Sequence, residues 1–299
     1  ATCYLEPGQV VEACGLKTYV LGPPRSEALL KKDAPSRGDA KEVYLTNLDS
    51  VMLAESAVRA RRQSTGTGSA YEDAAPFAKP HLQRGPGSAA KADLRLLYKD
   101  EGQMYRRIDG DWTASVEALA LKMDSDTNNT SLVLAFELPD GQVLLFPGDA
   151  QVGNWLSWGS QTYPRKAKDG APPPVTIDDL LRRVTFYKVG HHASHNATLR
   201  QAGLEKMTDG RLTAAIPVVE AVAAIQGPGR KTAGKGWKMP YPDLYAELQH
   251  RTKGRIVRGD GNPAEEGTAF KKAPTDKDRP VTVSYESSGL WVELTFPLS

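Results

Sequence analysis

The sequence predicts an α/β layered fold, and three observations carry that prediction. Over the second half of the 299-residue chain, apolar strand patterns alternate with helical ones, the arrangement that gives a sheet covered by helices. Two of those strands stop abruptly, one at Phe146-Pro147 before Gly148-Asp149, the other at Lys188-Val189 before Gly190-His191-His192. Composition, at 40% hydrophobic and 25% charged residues, is that of a globular chain long enough for a sizeable core.

Residues 9–13 and 16–21 read as two short strands turning at Cys14-Gly15. Gly22-Pro23-Pro24 ends the second, because proline brings no amide hydrogen to a ladder. Leu45, Leu48, Met52, Leu53, Ala57 and Ala60 recur at helical spacing and predict an amphipathic helix within 42–62. From 63 to 90 the chain is rich in Gly, Ser, Ala and Pro, the composition of a long flexible loop. Order is expected to resume at Leu94–Tyr98 and in a helix over Asp111–Lys122.

Ser131–Leu138 and Gln142–Pro147 predict a hairpin around Pro139-Asp140-Gly141, each a turn-forming residue. Helices are expected at Val152–Trp158, Ile177–Arg183, Ala197–Met207 and Tyr241–Thr252, with strands at Val184–Val189 and Thr213–Val218. Trp155 and Trp158 read as helix-core packing rather than as stacking platforms for bases. Residues 259–280, polar and broken by Pro and Gly, read as a surface linker. Val281–Tyr285 and Leu290–Phe296 close the chain as a hairpin with Ser287-Ser288-Gly289 at its tip.

With 38 basic against 36 acidic residues the net charge is +2, so no nucleic-acid coat shows at whole-chain level. The stretch 56–107 is locally basic and includes Arg61-Arg62 and Arg106-Arg107; a solvated face is its default reading and a phosphate-tracking lid the sharper one. No apolar run nears the roughly 20 residues that span a bilayer, and no secretory signal opens the chain. Cys3 and Cys14 cannot build a disulfide framework or a four-thiolate zinc site. A cytoplasmic protein without a membrane partner is expected.

Asp149 follows an apolar run and a glycine that lets backbone approach an ion closely, which makes it a candidate metal-bridging carboxylate. Its competing role is to cap the helix that starts near Val152. Three of the five histidines, His191, His192 and His195, fall within one five-residue stretch. Adjacent side chains of an extended segment point to opposite sides, so only one of His191 and His192 is expected to bind an ion, with His191 preferred. The other would hydrogen-bond around it or contact substrate. His195 would lie near substrate or, with Asn196, cap a following helix. Asn128 has a turn role at the strand entry as its alternative to a site role, and Asn129-Thr130-Ser131 also fits a glycosylation acceptor.

Taken in order, Asn128-Asn129-Thr130-Ser131-Leu132-Val133-Leu134, Leu144-Leu145-Phe146-Pro147-Gly148-Asp149 and Lys188-Val189-Gly190-His191-His192-Ala193-Ser194 resemble the second half of the metallo-β-lactamase fold. The nearest branch is the one containing the C-terminal metallohydrolase domain of bacterial DNA-uptake channel proteins. That branch shows Asn-x-x-Ser, Leu-x-x-Gly-Asp and His-His-Gly-Ser, with Ala193 here in place of the usual glycine. The resemblance covers 128–220 and, more faintly, 9–24.

It implies an αββα sandwich, present mainly as its C-terminal half with a long insertion. Strands in 1–24 would continue an upstream half-domain, 25–110 would be the insertion, 111–258 the C-terminal half, and 259–299 a linker and closing hairpin. It also implies Asp149 with His191 or His192 on two divalent ions, zinc or manganese, and Asn128, Ser131, Ser194 and His195 around the substrate. The family's His-x-His-x-Asp-His motif is missing, and His81 and His250 are isolated. With Ala1 rather than methionine at its start, the chain is expected to be a C-terminal portion. The remaining ligands would then come from an N-terminal portion, in the same protein or a separate chain. A processing protease joins the partners if the break is natural. The implied activity is metal-dependent hydrolysis of phosphodiester bonds, that of a nuclease on DNA or RNA, with a metal-activated water as nucleophile. The alternatives are a metal-free regulatory or binding module on the same fold, or a hydrolase of small esters or lactones.

Overall fold

Val10–Ala13 (β1), Leu16–Gly22 (β2), Val133–Glu137 (β3) and Val143–Phe146 (β4) pair antiparallel in sequence order. Thr162–Tyr163 (β5) and Val175–Thr176 (β6) form a small separate ribbon. Val184–Lys188 (β7), Thr213–Ile216 (β8) and Ile256–Arg258 (β9) then extend the main sheet parallel to β4, in the order β1-β2-β3-β4-β7-β8-β9. In this computed structural model the described residues are 4–33, 35–36, 42–44, 127–164, 173–226, 236–271 and 281–298. The helices expected within 42–62 and over 111–122, the loop at 63–90 and the segment 94–98 lie outside them.

Register explains which residues build the core. Tyr19, Ala135, Leu145, Tyr187, Ala214 and Ile256 are paired in a row across the sheet, all on one face and all buried. This face packs against Val152–Trp158 (α2), which follows Glu27–Leu30 (α1) in chain order. Trp155 and Trp158 are 2% and 1% exposed with ring centres 4.1 Å apart, so they pack in the core as the sequence predicts. Losing either to alanine costs about 3–5 kcal/mol. Both indole N–H groups find acceptors, Trp155 on Ala197 O at 3.0 Å and Trp158 on Asn154 Oδ1 at 3.0 Å.

The opposite face carries an aromatic ladder. Phe136, Phe146, Phe186 and Phe296 follow one another with ring centres 5.5 Å apart at each step. Phe296 comes from the closing hairpin of Thr282–Tyr285 (β10) and Val292–Thr295 (β11), whose tip and strands match the sequence reading.

Ile177–Arg182 (α3) starts with a capping box: Thr176 Oγ1 accepts the Asp179 amide and Asp179 Oδ2 accepts the Thr176 amide. The Thr176 hydroxyl, which donates to Asp179 Oδ2 at 2.7 Å, and then the Thr176 amide hold the Asp179 carboxyl down at about 2. Glu220–Ala223 (α4) and Pro242–Thr252 (α5) precede β9.

Two expectations are corrected. Ala197, Leu199, Leu204 and Met207 are buried, but the segment Ala197–Met207 is a run of turns ending in a 3-10 turn at Leu204–Lys206. Its polar groups are engaged elsewhere: Ala197 O by Trp155, Thr198 Oγ1 by the Tyr187 hydroxyl, and the Arg200 amide by Glu42 O. The polar stretch at 259–280 contains a helix, Pro263–Lys271 (α6), instead of only linker. Asn262 accepts the Ala264 amide, Pro263 opens the first turn, Glu265 and Glu266 favour its positive end, and Phe270 is buried. Residues at the start of the expected insertion are built into the same core: Val43 and Tyr44 are buried, and Lys32 O accepts the Gly153 amide.

The observed architecture is thus mixed α/β around one seven-stranded mixed sheet. Among the described residues no helix is long and apolar enough to cross a membrane.

Candidate functional site

The carboxyl ends of β4 and β7 lie side by side because the strands run parallel, so the loops that leave them meet at one end of the sheet. Gly148 follows β4 in the left-handed region at φ +60°. Gly190 follows β7, and a Cβ on it would stand 2.8 Å from Gly148 O. Only glycine allows the two loops this approach.

That contact sets the next residues. The His191 amide donates to Asp149 Oδ1 at 3.2 Å, and the Asp149 amide donates to Ser131 Oγ at 3.0 Å. Asp149 is not the helix cap that competed with its site role. The amides of Gln151 and Asn154 instead donate to Asn129 Oδ1, at 3.1 and 3.2 Å, and that of Gly153 to Lys32 O. α2 is capped from another segment of the chain.

The histidine segment is not extended, which corrects the premise used to separate His191 from His192. His191, His192 and Ala193 have φ of 41°, 51° and 59°, a single left-handed turn. Each non-glycine residue held there costs roughly 1–2 kcal/mol. Backbone bonds hold the turn: Ala193 N–H to Gly190 O, Ser194 N–H to His191 O, and Tyr241 N–H to Ala193 O at 2.8 Å. Strained backbone of this kind gathers at functional sites. The two rings end 6.4 Å apart with planes inclined by 56°. His192 is exposed and uses Nδ1 on Pro217 O, beyond the end of β8, whereas His191 is half-buried against Asp149, Ser194 and Gln151.

Around the His191 ring, Asn128 Nδ2 lies 3.5 Å from Nε2, while Ser194 Oγ and Gln151 Nε2 lie 3.0 and 3.2 Å from Nδ1. Ser194, expected around the substrate, is 3% exposed and is enclosed between His191 and Asn196. No helix follows for His195 to cap; its ring meets the edge of Tyr241 at 6.1 Å. The structure therefore gathers Asn128, Ser131, Asp149, His191 and Ser194, and leaves His192 and His195 at the side. His250 is on α5, beside Glu247.

No protein-family model, curated protein or solved structure matches the chain.

Sequence reasoning missed Gln151, and it underrated Asn129 and Asn154. Asn129 is fully buried, with Nδ2 on Lys32 O at 2.9 Å, so its acceptor pattern for a glycan is closed in the folded chain. Asn154 Nδ2 donates to the carbonyls of Asn129 and Ser131 at 3.0 and 3.1 Å, and its Oδ1 accepts Trp158 Nε1. For Asn154 the signal was present, since an asparagine inside the apolar run Val152–Trp158 must be paired when buried; Asn129, among polar neighbours, gave none.

As a cation site the group is partial. A carboxylate and an imidazole stand on neighbouring loops, but a catalytic zinc takes three protein ligands and a water. Among the described residues no group of three or more His, Cys, Asp and Glu is placed to hold a metal. Asp149 and His191 would supply at most two such ligands, and the contact that joins them is made by the His191 backbone amide.

Proposed function

We propose that this chain is part of a metal-dependent hydrolase of the metallo-β-lactamase type, acting on phosphodiester bonds as a nuclease does. The observation that carries the reading is the juxtaposition of Asp149 and His191 at the ends of two parallel strands, closed by the His191 amide on Asp149 Oδ1. Asp149 and the His191 imidazole would hold zinc or manganese from this side. The remaining donors would come from outside the described residues, on the N-terminal portion that the resemblance implies. Once bound, such a cation supplies a water of lowered pKa and offsets charge at phosphorus.

The chain's own residues have separate tasks. Ser131 Oγ accepts the Asp149 amide, the Gly148–Gly190 approach brings the two loops together, and Asn128 Nδ2 lies 3.5 Å from His191 Nε2. Phosphodiesters are preferred over esters or lactones on the resemblance of the three motifs, which is an argument by analogy.

The test is to supply zinc or manganese to the protein, together with the N-terminal portion that the resemblance implies, and to measure metal content and cleavage of single-stranded DNA, RNA and a chromogenic phosphodiester. Bound zinc or manganese and cleavage that Asp149→Ala and His191→Ala abolish would support the reading. A metal-loaded protein that cuts none of the three refutes the nuclease. A folded protein that takes up no metal points instead to a binding module.

A further inference from the structure

We infer that Ser194 is a positioning residue: it holds the His191 imidazole with the proton on Nδ1 and the lone pair on Nε2, the atom on the Asn128 side. The inference deepens the proposed function by naming the nitrogen that His191 offers, but proton placement itself can be read in metal-free protein.

Three contacts fix the direction of each hydrogen bond. Asn196 Nδ2 donates to the backbone carbonyl of Asp33 at 3.1 Å, so the Asn196 carboxamide must turn Oδ1 the other way, toward Ser194. Ser194 Oγ donates its single proton to that Oδ1 at 2.7 Å. The hydroxyl therefore has only lone pairs left for His191 Nδ1 at 3.0 Å, and Nδ1 must carry hydrogen. On the far side of the ring Asn128 Nδ2, a donor, lies 3.5 Å from Nε2, which agrees with a lone pair there.

One contact opposes. Gln151 Nε2 at 3.2 Å from Nδ1 would set two donors face to face. The Asn196 anchor outweighs it, since a backbone carbonyl has one polarity only, whereas a half-turn of the Gln151 carboxamide gives Nδ1–H a second acceptor. Ser194 and Asn196 are buried at 3% and 7% exposure, so water does not compete for these bonds. This is how a ligating histidine is usually held, one ring nitrogen donating outward and the other left for the ion.

The experiment is long-range proton–nitrogen NMR of histidine-labelled, metal-free protein at a pH where His191 is neutral, with Ser194→Ala, Ser194→Thr and Asn128→Ala. The wild type is expected to show His191 protonated at Nδ1. Ser194→Ala should shift the tautomer ratio roughly fivefold toward Nε2–H, the equivalent of one neutral hydrogen bond. Ser194→Thr should restore it and Asn128→Ala should leave it in place. A wild-type His191 protonated at Nε2, or a ratio that Ser194→Ala does not move, overturns the inference. Should Ser194→Ala fail to fold, the wild-type and threonine spectra decide alone. Absent metal binding with the tautomer as stated would defeat the proposed function and leave this inference standing.

Discussion

Gly190→Ala drives a wedge between the two strand ends that the site depends on. Gly190 sits at φ −74°, ψ 165°, which any residue adopts, so the substitution carries no backbone penalty and acts by volume alone. Its new methyl would lie 2.8 Å from Gly148 O and 3.3 Å from Pro147 Cγ. Ordinary contact needs a few tenths of an ångström more, so one loop must move away by ~0.5 Å, and overpacking of this size costs about 1–3 kcal/mol. Against that, removing glycine from the unfolded chain returns about 0.4–1 kcal/mol. The net loss expected is ~0.5–2 kcal/mol by urea denaturation. A second readout is more specific: the His191 N–H to Asp149 Oδ1 bond, already 3.2 Å, should open. Hydrogen exchange at the His191 amide should then accelerate by more than global destabilisation explains. Unchanged stability with an equally protected His191 amide would refute the close-approach argument.

Asn129→Ala removes three side-chain hydrogen bonds and uncaps α2, so a loss of about 3 kcal/mol is expected in chemical denaturation; a loss under ~1 kcal/mol would show that water replaces them. Thr176→Ala should cost about 1 kcal/mol at neutral pH through the α3 cap. Because the folded Asp179 carboxyl is depressed from 3.8 to about 2, its stabilising effect is present above pH ~4 and disappears as pH falls through about 2. Asp179→Asn should therefore destabilise at pH 7 and be nearly neutral at pH 2, and an equal effect at both would contradict the cap. Ala193→Gly relieves a left-handed residue worth roughly 1–2 kcal/mol but loses a buried methyl of ~0.8 kcal/mol and adds unfolded-state entropy, so its melting temperature should stay within a few degrees of wild type.

Much of the sheet is legible in the sequence because its strands are short apolar runs closed by turn residues. The Pro139-Asp140-Gly141 hairpin and the β7 run into Gly190 need no long-range information. β9 is three residues long and gives no pattern of its own. Ala197–Met207 has enough buried apolar residues to read as a helix, yet Gly203 sits at φ −133°, ψ −104°, and partners from α2, β7 and Glu42 draw away its polar groups. Local periodicity cannot show that competition. α6 was the reverse: Asn262-Pro263 followed by Glu265-Glu266 is a helix start, masked by the low hydrophobicity of the segment.

At the site, the strand ends point to Asp149 and to the His191-His192 pair without choosing between the two histidines, and the parallel pairing of β4 and β7 is not visible in either segment. The left-handed turn was hidden for the same reason: φ is set by the bonds from Gly190, His191 and Tyr241, and none is visible in the His191-His192 pair itself.

Manganese titration followed by residue-resolved NMR line broadening tests the pairing of Asp149 with His191 most directly, because it detects even a weak half-site and says where the ion sits. The amides of Gly148, Asp149 and those from Gly190 to Ala193 should broaden first, and Asp149→Ala should abolish the effect while His192→Ala leaves it. Broadening centred elsewhere, or undiminished in Asp149→Ala, would contradict a shared ion between these two strand ends.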